Sequence, residues 1–112
     1  MKIWIDDIRP APEGYIWCKS VCSAIYEIEG IQMYDWIPDI PQENLEIIDI
    51  DYDAGEYAKY GGDYIELLKW LEEREQRENT HRHYNIRIHS MNPVGVENMR
   101  RIIERNGWTE VR

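Results

Sequence analysis

The sequence predicts a single α/β domain built as three layers around a mostly parallel sheet, and three observations lead there. Two apolar runs, Ile3-Trp4-Ile5 and Ile47 to Ile50, end in carboxylates, and a third, Tyr84 to His89, ends in His-Ser. Stretches with helical spacing separate them, and strands that alternate with helices form parallel sheets through right-handed crossovers. The chain of 112 residues holds one core, since domains commonly contain about 100–150 residues. The domain is therefore expected to span 1–112.

The elements follow in order. Lys2 to Asp6 reads as a strand covered on both faces, and Pro10, Pro12 and Gly14 then impose a loop. Ser20 caps a helix whose apolar positions Val21, Ala24, Ile25 and Ile28 keep the i, i+3, i+4, i+7 spacing, with Gly30 as its stop. A short strand and an irregular connection are expected over 31–41. Leu45 to Ile50 is the second strand, ending among Asp49, Asp51 and Asp53. Ala54 to Gly62, with three glycines and two tyrosines, reads as a mobile loop over the site. Asp63 is expected to cap a helix with Tyr64, Leu67, Leu68 and Leu71 on its apolar face and a solvated end over 72–78. Asn92-Pro93 starts a last helix after the strand Tyr84 to His89, and 108–112 adds a short edge strand.

Composition excludes several functions. A net charge of −9 argues against duplex nucleic acid, whose backbone is held by clustered Lys and Arg. No apolar stretch approaches the roughly 20 residues that span a bilayer, so a cytoplasmic protein without membrane contact is expected. Cys18 and Cys22 have no second pair or adjacent His, which suits two reduced structural thiols. His81 and His83 lie in a polar loop and carry no assigned role.

In an open parallel sheet, ligands bind beyond the carboxyl ends of the strands. Neighbouring strands would bring Asp6, Asp7, Asp51, Asp53, His89 and Ser90 to one edge. Carboxylates about 4 Å apart repel by roughly 4 kcal/mol per pair at an effective dielectric near 20, so the cluster calls for a cation. Mg²⁺, hard and oxygen-seeking, suits Asp6, Asp7 and Asp51. Ser90 and Asn92 at a helix start, with Arg9 opposite, suit a phosphate. Histidine is the side chain whose unperturbed pKa lies nearest cellular pH, and His89 is the candidate acid or base. Tyr57 and Tyr60 offer rings for a nucleobase, though shielding the core is the commoner use of such a ring.

The segments Asp6-Asp7-Ile8-Arg9-Pro10, Ile50-Asp51-Tyr52-Asp53-Ala54-Gly55, Gly62-Asp63 and His89-Ser90-Met91-Asn92-Pro93-Val94-Gly95 resemble, in order and over nearly the whole chain, the cyclic-phosphate-processing receiver-like family. The resemblance implies a small receiver-like, flavodoxin-like fold and a role with cyclic phosphate ends of RNA or related nucleotides; the chain itself reads as truncated relative to a full receiver domain, short of a full fifth strand and helix. It makes Asp6 and Asp7 the acidic pair, Asp51 the central acid, and His89, Ser90 and Asn92 the last motif. Tyr52, Asp53, Gly62 and Asp63 join the site by the same resemblance. The family's middle motif often reads Asp-His-Asp where this chain has Asp51-Tyr52-Asp53. A phosphoacceptor receiver fits poorly, since no lysine follows Lys69.

Two functions are expected from these residues. The first is a metal-assisted phosphodiesterase acting on a cyclic phosphate or cyclic nucleotide, with His89 and Asp51 catalytic and Arg9, Ser90 and Asn92 on the phosphate. The alternative, motivated by Tyr52, is a non-catalytic protein that sequesters a small cyclic nucleotide, in a phage or defence setting. A protein-interaction module that retains only the fold is a third.

Overall fold

The computed structural model describes residues 1–39 and 44–112. In chain order these form β1 (Lys2–Ile5), β2 (Tyr15–Cys18), α1 (Val21–Gln32), β3 (Ile47–Ile50), a 3-10 helix (Gly55–Tyr60), α2 (Ile65–Glu78), β4 (Asn85–Ile88), α3 (Pro93–Arg105) and β5 (Thr109–Val111). All five strands are parallel, in the order β2-β1-β3-β4-β5. This is the flavodoxin-like order, so the receiver-like α/β fold stands as expected.

The number of layers does not. From β2 onward each connection moves the same way across the sheet, and right-handed crossovers then place α1, α2 and α3 on one face. They pack side by side there, α1 on α2 and α2 on α3. Ile3, Ile5, Ile48, Ile50 and Ile86 are fully buried beneath Ala24, Ile28, Leu68, Leu71, Met99 and Ile103. Side chains alternate along a strand, so the other face carries the cross-sheet row Trp17, Trp4, Asp49, Arg87 and Val111. Trp4 is buried but stands apart from the core cluster. Among the described residues the fold is thus a two-layer sheet and helix stack, not the three-layer one expected. The reason is local: β1 to β2 is the one backward connection, and Pro10 and Pro12 deny it a helix.

Several element predictions also shift. Strand β2 was not expected, although Tyr-Ile-Trp-Cys after Gly14 is the aromatic and β-branched run that favours a strand. Helix α1 passes Gly30 and ends at Gln32, and turns follow to Asp39 in place of the strand expected there; the rest of that segment, 40–43, lies outside the described residues. Ser20 caps α1 as predicted, accepting from the Ser23 N–H at 3.1 Å. Asp63 does not cap α2: Tyr64 takes that position without a side-chain bond, and Asp63 Oδ1 accepts the Ala54 N–H at 3.1 Å.

The segment expected to be a mobile loop is a 3-10 helix seated on the core through Tyr57 and Ala58. Gly61 ends it at φ 114°, and a Cβ there would lie 2.8 Å from Val21 Cβ, so only glycine lets this turn approach α1. The end of α2, expected to be solvated, buries Arg74 and Glu75. Arg74 donates to the Tyr84 hydroxyl at 2.8 Å and to Gln32, while Glu75 accepts from Arg82 and Thr80. This network closes the sheet edge opposite the strand carboxyl ends.

Both cysteines are free, and burial with the nearby Glu27 pushes the Cys18 thiol up to about 12. No described helix is long and apolar enough to cross a membrane.

Ile47 and Ile48 are adjacent in β3 but face opposite ways. Ile48→Ala should cost about 2–5 kcal/mol, the range for truncation in a packed core, and Ile47→Ala clearly less. Urea denaturation of both variants measures the difference, and equal losses would contradict a helix layer on one face only.

Candidate functional site

Register builds the site. Ile5, Ile50 and Ile88 sit side by side in β1, β3 and β4, so the next residues, Asp6, Asp51 and His89, leave the sheet together. The ladder continues through them: Asp51 N–H donates to Ile5 O and His89 N–H to Ile50 O, each at 3.0 Å.

His89 is held on every side. Nδ1 lies 2.6 Å from Asp49 Oδ1 and Nε2 lies 3.0 Å from Asp6 Oδ2. The ring stacks on Trp4 with centroids 3.9 Å apart and planes 6° from parallel. Both nitrogens face carboxylate oxygens, which only accept, so both contacts are hydrogen bonds when the ring carries both protons. Arg87 donates to Asp49 Oδ2 at 3.0 Å, completing a chain Arg87–Asp49–His89–Asp6. Trp4 is fixed in turn, its indole N–H donating to Arg9 O at 2.9 Å and the edge of its ring meeting Tyr15.

Beside this chain lie three carboxylates. One oxygen each from Asp6, Asp7 and Asp51 falls within 4.8 Å of the other two. Asp6 is 1% exposed; burial works to raise its pKa, but the N–H groups of Arg9 and Ile8, each 2.9 Å from Oδ1, together with His89 hold it below the usual carboxylate value. Asp7 goes the other way, raised by burial and by the charges of Asp6 and Asp51. Burial and the same three carboxylates raise the Tyr64 hydroxyl, which donates to Lys19 O at 2.8 Å. Gly55, at φ 56°, brings its backbone so close that a Cβ there would sit 2.4 Å from Asp7 Oδ2. Such a set of mutually repelling hard oxygens, which the Gly55 backbone approaches without a side chain in the way, fits a divalent cation of the Mg²⁺ type.

The other predicted residues divide between two places. Arg9 stays with the cluster: Nε is 3.9 Å from Asp6 Oδ2 and a terminal nitrogen donates to His89 O at 3.3 Å. Ser90 Oγ accepts the Asn92 N–H at 3.2 Å and Asn92 Oδ1 the Gly95 N–H at 3.0 Å, so both shape the start of α3, where Asn92 is the cap as predicted. Tyr52, Gly62 and Asp63 line a separate cleft between α2 and α3, while Asp53 is exposed beside them. Tyr57 and Tyr60 form a tilted pair 6.4 Å apart, Tyr57 packed on the core and Tyr60 half exposed. His81 and His83 are exposed as expected, and His83 bonds Thr109 Oγ1 at 2.8 Å.

Sequence reasoning gave no role to Asp49, Arg87 or Trp4. The available signal was Asp49 itself, a lone carboxylate inside an isoleucine run, because a buried charge requires a partner. Finding that partner requires the alignment of β3 with β4.

The fold disfavours the charged form of Asp7. Because its folded pKa lies above the ordinary 3.8, its stabilising contribution is present below that value and is lost as pH rises through the raised one. In chelator, Asp7→Asn should therefore raise the urea midpoint at pH 7 relative to the parent chain, with the gain fading toward pH 3. A gain as large at pH 3, or none at pH 7, would contradict the charge repulsion described.

No curated protein and no solved structure matches this chain. A family model described as the cyclic-phosphate processing receiver domain matches residues 1–105. Since that match takes in every strand and helix up to the end of α3, including the whole acidic edge, the chain belongs to the cyclic-phosphate processing receiver domain family.

Proposed function

We propose that the protein is a metal-assisted phosphodiesterase that opens a cyclic phosphate. The observation that carries this reading is the convergence of Asp6, Asp7 and Asp51 within 4.8 Å, next to a histidine backed by a carboxylate. Asp6, Asp7 and Asp51 would hold Mg²⁺, which supplies charge neutralisation for a bound phosphate and acidifies a coordinated water. Arg9, half exposed and tethered to Asp6 and His89 O, faces the phosphate with its free guanidinium edge. The Ser90 hydroxyl proton, at the start of α3, is a further donor.

Ring opening forms a bond from a water oxygen to phosphorus and breaks one phosphorus–ribose oxygen bond. Asp51 takes the proton of the water, and the leaving ribose oxygen takes one from His89 Nε2. Asp49, 2.6 Å from Nδ1, orients the ring for that transfer as the buried acid does in a Ser-His-Asp triad. The transfer requires Nε2 to part from Asp6 Oδ2, 3.0 Å away.

That same contact favours a second reading, a protein that binds a cyclic nucleotide without cleaving it. A histidine that keeps both N–H protons on carboxylates offers neither to a leaving group, and Tyr52 replaces the other histidine common in the family.

The experiment is chromatography of 2′,3′-cyclic nucleotides and cyclic oligonucleotides incubated with the protein. The phosphodiesterase reading expects a linear monophosphate with Mg²⁺, none with chelator, and a rate loss of about 100-fold or more in His89→Ala and Asp51→Asn, the usual scale for losing an acid or base. Calorimetric binding with every ligand recovered intact would transfer the assignment to sequestration. Neither product nor binding would defeat both.

A further inference from the structure

The cleft between α2 and α3 has no part in the chemistry above, yet it begins at the residue after Asp51. Tyr52 donates its N–H to Asp51 Oδ1 at 2.7 Å, and its ring lies flat against the first turn of α3. A Cβ on Gly95 would come within 2.4 Å of that ring, so the glycine makes room for it. From there the cleft, about 610 Å³, runs between the helices past Gly62 and Asp63 to Lys69, Asn98, Arg101 and Arg105. That is room enough for a nucleotide-sized group.

Its charge is unlike that of the rest of the molecule. In a chain of net charge −9, three cations and two carboxylates, Asp63 and Glu66, line this cleft. Arg105 is committed to Glu72 through two contacts of 2.7 Å. Arg101 has no carboxylate within ion-pair distance among the described residues, where its side chain hydrogen-bonds Asn98 Oδ1 at 3.4 Å. Lys69 pairs with Glu66 at 3.2 Å, both about half exposed, and such a pair contributes little in water. Asn98, Arg101 and Arg105 follow the i, i+3, i+7 spacing, hence one stripe along α3.

We propose that this cleft is a backbone-phosphate subsite, in which Arg101 and Lys69 receive the single strand that leads to a cyclic phosphate end. The inference rests on the functional reading above and deepens it by placing a subsite for the chain behind the cyclic phosphate between α2 and α3. Helix α3 starts at the Asn92 cap beside His89 and Ser90 and carries the stripe away from the acidic cluster. At 1.5 Å per residue, Arg101 is about 13 Å along the helix from Asn92. A mononucleotide bound at the cluster does not reach it; a strand rising about 3.4 Å per stacked nucleotide does so within roughly four nucleotides. Tyr52, in place of a second histidine, is then a wall shared by the two sites.

The test compares a hexanucleotide ending in a 2′,3′-cyclic phosphate with the corresponding 2′,3′-cyclic mononucleotide, by calorimetry with Mg²⁺, at several salt concentrations. The parent chain should bind the hexanucleotide more tightly. Lys69→Glu with Arg101→Glu should weaken hexanucleotide binding by at least about 10-fold and flatten its salt slope by about 1.4, two cations at about 0.7 each, while leaving the mononucleotide unaffected. Arg101→Lys, which keeps the charge, should retain most of the affinity. Unchanged hexanucleotide binding in the double variant, or an equal loss for both probes, overturns the subsite. If the parent chain binds both probes equally, the cleft alone fails; if it binds neither, the functional reading fails with it.

Discussion

The alignment of β1, β3 and β4 is the constraint from which the rest of this structure follows. With Ile5, Ile50 and Ile88 abreast, the next residue of each strand must emerge at the same edge, and those residues are Asp6, Asp51 and His89. A shift of one residue in any strand would turn its side chains to the other face. It would also remove a fully buried isoleucine from the helix side, so the hydrophobic core and the polar site enforce the same alignment.

The two faces of the sheet divide the work. The isoleucine face, under three helices, supplies the burial that holds the strands together. The opposite face has no helix over it among the described residues, and there the row through Trp4, Asp49 and Arg87 holds a carboxylate that is almost fully buried. Asp49 is sustained by Arg87 on one oxygen and His89 on the other. Trp4 covers His89 and is itself tied to the loop that carries Arg9. The proline-rich link between β1 and β2 thus reaches the site through Arg9, which contacts Trp4, Asp6 and His89.

Charge organises the site's edges. Asp6 is stabilised as a carboxylate by two N–H groups and His89, whereas Asp7 is held against burial and two like charges. A fold that retains this opposition has carboxylate oxygens in a standing arrangement suited to a cation. On the far side of Tyr52, the cleft with Lys69 and Arg101 reverses the sign. Under the function proposed, a ligand anionic along its length would meet the metal held by the acidic cluster at one end and Lys69 and Arg101 at the other.

Local patterns in the sequence determined a good deal: the apolar runs of β1, β3 and β4, the Ser20 and Asn92 caps, the spacing of α1 and α2, and the acids at the strand ends. Each depends on residues within a few positions, so a linear reading recovers it. The same reading missed β2, because four residues between loops carry little periodicity, and it predicted a third layer that the prolines exclude. The tertiary structure alone decided that His89 sits between Asp49 and Asp6, 40 and 83 residues away in the chain, and that Tyr52 rests on Gly95 and faces a cleft. Such pairings come from how strands and helices distant in sequence are brought side by side, and no local period encodes that.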